Sequence, residues 1–160
     1  MTESSHDEAA LRFFNGLSGR LHVGLSEPAQ RVSERLLNLK APPSARIEEV
    51  AFTMQVMEET GEGDDLDFGD PRDLTEDEWS RVVLHTPLIR MRGENDAQVV
   101  EHRALGGVAF TVRDLAAAIA ETERHTRGGT VWDGGIDVHH IYFEGIELEE
   151  DGVWLISWGS

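Results

Sequence analysis

Strand-like patterning is strongest near the end of the chain. Residues 136–148 are rich in β-branched and aromatic side chains, which suit a pleated backbone. Glu149-Glu150-Asp151-Gly152 then reads as a turn, because Gly accepts positive φ and Asp bonds its own backbone. Residues 153–158 run back, which predicts a C-terminal β-hairpin over 136–158. Directly opposed residues share a face, so the register can be argued. A two-residue Asp-Gly loop sets Glu149 against Trp154 and Glu147 against Ile156, carboxylates against apolar partners. A four-residue loop pairs Leu148 with Val153, Ile146 with Leu155 and Phe143 with Trp158, and sorts the faces better. It gives a core face of Ile141, Phe143, Trp154, Ile156 and Trp158. Val138, His140, Tyr142, Glu144, Ile146, Leu148, Val153 and Leu155 fall on the other face. That second face is apolar near the turn, so it calls for a cover, from the N-terminal half or from a partner.

The pattern upstream is mostly helical. Residues 7–14 read as a short helix with acids in its first turn, stopped by Asn15-Gly16. Residues 20–25 are too short to assign. Ser26 as N-cap, Pro28 in the first turn, and Val32, Leu36 and Leu39 on one face predict a helix over 27–39. Ala41-Pro42-Pro43-Ser44 is a stiff connector and the best internal boundary. Residues 45–60 fit two periods. Ile47, Val50, Met54 and Met57 suit a helix, whereas Val50, Phe52, Met54 and Val56 suit a strand. Length and Glu-rich ends favour the helix.

Residues 61–73 read as a loop. Thr75 with Glu78 forms a capping box for a helix running through Leu84, before Pro87. Residues 88–92, the turn 93–96 and residues 98–104 predict a second hairpin. Thr111 with Asp114 caps a helix over 112–126, closed by Gly128-Gly129, which should lie on the core face of the final sheet. Segregated helices and strands predict an α+β fold: N-terminal helices, then a mostly antiparallel sheet with one packed helix and the closing hairpin. The expected organisation is a single domain over 1–160. Residues 1–40 form a helical segment that can stand apart as an arm, and residues 45–160 form an acidic main body.

Composition narrows the function. The chain has 160 residues, no Cys, and a net charge of −17. Absence of Cys removes disulfides, thiolate nucleophiles and zinc–thiolate sites. No apolar run reaches membrane-spanning length, and the first residues lack the pattern of a signal peptide, so a cytoplasmic location is expected. Residues 1–46 hold six basic and five acidic groups; residues 47–160 hold eight basic and 26 acidic groups, a net of −18. Such a body repels nucleic acid and anionic lipid and favours a basic protein partner, although solubility or salt adaptation explains the same charge. The basic residues are 13 Arg and one Lys, a skew without a physical explanation.

Two constellations carry candidate chemistry. Asp133, Asp137, His139, His140, Tyr142 and Glu144 cluster before and within the hairpin. On a strand His140, Tyr142 and Glu144 project from one face, about 7 Å between alternate residues. An imidazole and a carboxylate so placed can act as base and orienter or as two metal ligands, with His85 and His102 the imidazoles available to complete a metal set. A hydrogen-bonded surface row is the commoner outcome. The second constellation is an acidic stretch, with eleven carboxylates against Arg72 in residues 58–78. Asp65, Asp67, Asp70 and Glu76 approach the spacing of a calcium loop, but Asp70 and Pro71 occupy its sixth and seventh positions, where the sharp turn needs Gly. Asp64, Asp65, Asp67, Asp70 and Asp73 suit docking to an Arg- or Lys-rich surface instead.

Hydrolase, zinc-protease and phosphate-loop motifs are all missing, and no basic, aromatic-interleaved strip exists for nucleic acid. No cofactor is expected. The leading expectation is a non-enzymatic acidic interaction module, such as an inhibitor, adaptor or assembly subunit, with Trp residues as anchors. The alternative is a small-molecule or metal-dependent enzyme built on His140 and Glu144.

Overall fold

A computed structural model describes residues 3–25, 47–57, 59–60, 67–68, 71–93, 98–129 and 140–159. The chain opens with helix α1 (Glu3–Asn15) and strands β1 (Ser18–Leu25) and β2 (Ile47–Val56). Three two-residue strands follow, β3 (Glu59–Thr60), β4 (Asp67–Phe68) and β5 (Arg72–Asp73). A single helical turn, α2 (Glu76–Trp79), precedes β6 (Val82–Leu84), β7 (Leu88–Arg92), β8 (Val100–Arg103) and β9 (Phe110–Thr111). Helix α3 (Val112–Gly129) leads to the closing strands β10 (Tyr142–Leu148) and β11 (Trp154–Gly159).

Seven strands form one sheet in the order β5-β2-β1-β10-β11-β7-β8. Every pairing is antiparallel except β11 with β7, which is parallel. The expected mixture of helices with a mostly antiparallel sheet is present. The parallel pair was not anticipated, because it joins residues far apart in sequence. The predicted helix 27–39 and the 41–44 connector lie outside the described residues.

Helices α1 and α3 pack on one side of the sheet. Phe14 of α1 meets Phe143 edge-on with ring centroids 5.5 Å apart. Trp158, paired with Phe143 across the hairpin, donates its indole N–H to Glu123 of α3 at 2.8 Å. Phe52 completes the cluster, 5.3 Å from Phe143 and 5.5 Å from Trp158. Such edge-to-face pairs each contribute about 0.5–1.5 kcal/mol beyond area burial. The opposite side of the sheet carries Arg20, His22, Thr53, Tyr142 and Glu144, all exposed.

Two helix assignments are corrected. Residues 47–56 form a strand, not a helix. Opposite β1 the chain buries Met54 and half-buries Val50, Phe52 and Val56 on the core side, while Glu49 and Thr53 are exposed. Sheet packing selected the second of the two periods. The helix expected through Leu84 ends at Trp79. Its capping box forms as expected, with Glu78 N–H donating to Thr75 Oγ1 at 3.2 Å and Thr75 N–H to Glu78 Oε1 at 2.9 Å. Val82, Val83 and Leu84 leave the helix to pair with β9, burying Val83 and Leu84. The 61–73 segment, expected as loop, contains β4 and β5.

The second hairpin, β7 with β8, and the capped helix α3 are as expected. Thr111 and Asp114 bond each other's backbone N–H at 3.2 Å. α3 lies against the core side of the sheet, as its apolar stripe required.

The C-terminal hairpin forms with a modified register. Phe143 opposes Trp158 as expected, but Leu148 faces Trp154 and Ile146 faces Ile156. The four-residue loop is thus one residue too short, and a bulge between Phe143 and Gly145 restores the phase. Gly145 has φ +124, which suits only glycine. The bulge turns Ile146 onto the core side, where it is buried, contrary to the face assigned from alternation. Val153 is also buried, in the turn.

Asn15, at the end of α1, secures this bulge. Its Nδ2 donates to Ile146 O at 3.1 Å, and Ile146 N–H donates to its Oδ1 at 2.9 Å. The amide thus serves Ile146 as a strand neighbour would, just beyond the start of β1 at Ser18. We expect Asn15→Ala to lower unfolding free energy by about 1–2 kcal/mol, since two part-buried backbone groups lose their partner. Urea unfolding checks this, and an unchanged midpoint would refute the bracing role.

Candidate functional site

A cavity of about 570 Å³ opens where the first half of α1, the β6–β7 connection and the tip of the C-terminal hairpin converge. Its wall combines Leu88, Leu148 and Trp154 with Asp7, His85, Arg90 and Glu101. Each arrives for a local reason. Burial of Val83 and Leu84 carries β6 under α1 and leaves His85 at its exit, facing Asp7. The carboxylate of Asp7 bonds the His85 ring at Nδ1 (2.5 Å) and accepts from the His85 backbone N–H at 3.3 Å. Cross-strand pairing sets Arg90 opposite Glu101 and Leu148 opposite Trp154.

The hairpin tip is held by its own turn and by two arginines. Gly152 N–H donates to Glu149 O at 3.0 Å, and Glu149 N–H to Val153 O at 2.9 Å. Arg90 Nη2 donates to Asp151 O at 3.0 Å. Arg92 reaches Glu149 at 3.2 Å and Asp151 at 3.3 Å. Leu148 is 53% exposed and Leu88 37%, so two large apolar side chains stand open at this site.

A smaller cavity, about 270 Å³, lies beside α3 and is lined by His102, Phe110, Ala117, Ala118 and Glu121 among others. His102 Nε2 meets Thr122 Oγ1 at 2.6 Å. Burial pushes the His102 pKa below its ordinary value of 6.5, against the opposing pull of Glu121. As pH falls below about 6.5 the unfolded chain takes up this proton before the folded one, so His102 makes stability decline on acidification. Comparison of wild type with His102→Gln at about pH 7 and about pH 5 should show a shallower decline in the variant. Equal slopes would refute the assignment.

The expected site residues are dispersed. Tyr142 and Glu144 share the exposed side of the sheet, with the Arg20 guanidinium 5.7 Å from the Tyr142 ring centre. His140 precedes β10 and has φ +48. None of the three lines either cavity described above. Asp64, Asp65 and Asp70 lie outside the described residues, as do Asp133, Asp137 and His139. Asp67 pairs with Thr60 in the β3–β4 ladder. Asp73 is exposed on β5 and accepts from Gln55 at 3.3 Å.

Glu76 binds Arg113 through both carboxylate oxygens, at 3.0 and 2.9 Å, and that guanidinium holds its pKa below the usual value. Glu78, held by Arg72 and the Thr75 backbone N–H, has its pKa lowered to about 2. These two carboxylates act as structural ion-pair partners. Among the described residues no group of three His, Asp or Glu side chains is arranged to hold a metal ion.

Sequence reasoning missed the Asp7–His85 pair. The two residues are 78 positions apart, and no spacing rule connects a helix to a strand exit at that distance. Trp158 is buried in the core, and Trp79 and Trp154 pack half-buried against it. Among the described residues no helix is long and apolar enough to cross a membrane. The chain matches no protein-family model, no curated protein and no solved structure.

Proposed function

We propose that this chain is a non-enzymatic acidic interaction module, an inhibitor, adaptor or assembly subunit that holds a basic protein surface. The observation that carries this reading is the charge of the C-terminal hairpin. Residues 142–159 contain Glu144, Glu147, Glu149, Glu150 and Asp151 and no Arg or Lys. Arg92 pairs with both Glu149 and Asp151, whereas Glu144, Glu147 and Glu150 are exposed without an ion-pair partner among the described residues. Asp64, Asp65, Asp67, Asp70 and Asp73 belong to the same reading as a second acidic stretch of the sequence. Unpaired carboxylates on one element raise the rate of encounter with a cationic partner and select against anionic ones.

The enzyme reading built on His140 and Glu144 has less support, because Glu144 and Tyr142 stand exposed and neither lines a cavity described above. The test is retention of partners from a cell extract on the immobilised protein. Binding should be retained at low salt, be released as salt screens the surface, and weaken in a Glu144→Gln/Glu147→Gln/Glu150→Gln variant. Absence of salt-dependent binding would remove the reading.

A further inference from the structure

The cavity between α1, β7 and the hairpin tip is a receptor for an arginine side chain of the basic partner, we propose. This inference rests on the acidic-module reading and gives that surface its specific contact. Three features of the cavity select such an occupant.

The first is size. About 570 Å³ falls within the range of ligand sites and accommodates one long side chain with its flanking backbone.

The second is the pairing of apolar wall with ring face. Leu148 and Leu88 are open apolar surfaces suited to an aliphatic stem, and half-buried Trp154 lines the same cavity, an indole being the ring a cation prefers. Guanidinium stacks on such a ring and forks onto carboxylates, which an ammonium does less well.

The third is charge. Asp7 and Glu101 both line the cavity. Asp7 is oriented by His85, and its two oxygens keep further lone pairs for an incoming N–H. Glu101 is exposed. Arg90, which also lines the cavity, has its Nη2 engaged by the Asp151 carbonyl at 3.0 Å. An anionic occupant meets these carboxylates unfavourably, and a wholly apolar one leaves them without a counter-charge.

The experiment uses the full chain and three probes: an oligoarginine peptide, the capped tripeptide Gly-Arg-Gly, and its citrulline counterpart, which keeps the shape without the charge. Binding is followed by the Trp154 indole and His85 ring signals in NMR and by titration calorimetry. The arginine tripeptide should shift both signals saturably, and the citrulline tripeptide should bind at least about fivefold more weakly. Glu101→Arg should weaken oligoarginine binding about tenfold, and Leu148→Ser about threefold. Both positions are exposed, and the folded spectrum of each variant serves as its control.

Equal binding of the arginine and citrulline tripeptides overturns the proposal. So does oligoarginine binding that neither variant weakens, although the acidic-module reading would then stand. No oligoarginine binding to the wild type at low salt overturns both.

Discussion

Phe14→Ala is expected to lower unfolding free energy by about 3–5 kcal/mol, the range for removing a fully buried aromatic ring. Phe14 is 0% exposed and is the ring by which α1 meets the sheet, at Phe143. Neighbouring Ala10 and Leu17 are also buried, so the space it leaves has small or fixed walls. The substitution reaches further than stability. α1 carries Asp7 to His85 and Asn15 to the hairpin bulge, so a loosened helix disturbs both ends of the cavity. Urea unfolding gives the energy, and hydrogen exchange at His85 and Ile146 reports the two ends. A loss under about 1 kcal/mol would show that α1 is not seated through this ring.

Glu123→Ala is expected to cost about 2–3 kcal/mol, the scale of a lost charge-assisted hydrogen bond in a buried setting. Glu123 is 2% exposed and accepts the Trp158 indole N–H at 2.8 Å. Truncation leaves that N–H in the core without this acceptor. Glu123→Gln keeps an amide oxygen in place and should recover most of the loss. Gly93 is part of the same arrangement. A Cβ there would stand 2.9 Å from Glu123 Oε1 and from Thr126 Oγ1, so glycine permits the close approach of the β7 end to α3. Thermal unfolding of the two Glu123 variants separates the hydrogen bond from packing. Equal destabilisation by Gln and Ala would refute the acceptor role.

The elements with local signals were legible. Thr111–Asp114 and Thr75–Glu78 are capping boxes whose partners lie three residues apart, and both form. Asn15-Gly16 ends α1 as expected, with Gly16 N–H bonded to Arg12 O and Phe13 O at 3.1 Å. The β7–β8 hairpin and the Phe143–Trp158 pair were likewise visible, because alternation over a short turn constrains register. Residues 45–60 failed for a stated reason. Their apolar positions satisfied two periods, and only the presence of β1 alongside selected the strand. Leu84 was lost from its expected helix by the same kind of override, since β9 supplies a partner 26 residues away.

The candidate site was less legible than the fold. Glu144 and Tyr142 were chosen because they alternate along one strand, and they do share one side of the sheet. Both are exposed, and among the described residues no second element brings them a catalytic partner. Asp7, His85, Glu101 and Trp154 converge from four separate segments, so no window of sequence contains the cavity.

From its residues alone this chain is an acidic, cysteine-free α+β protein with a capped amphipathic helix over its core and a carboxylate-rich closing hairpin. Those properties follow from composition, local hydrogen bonding and short-range alternation, each fixed within a few residues. Tertiary structure alone decided that 47–56 is a strand, that a bulge held by Asn15 resets the hairpin, and that Asp7 meets His85 beside an apolar cavity. Each depends on long-range contacts, and a residue's neighbours in sequence carry no information about which distant segment will cover it.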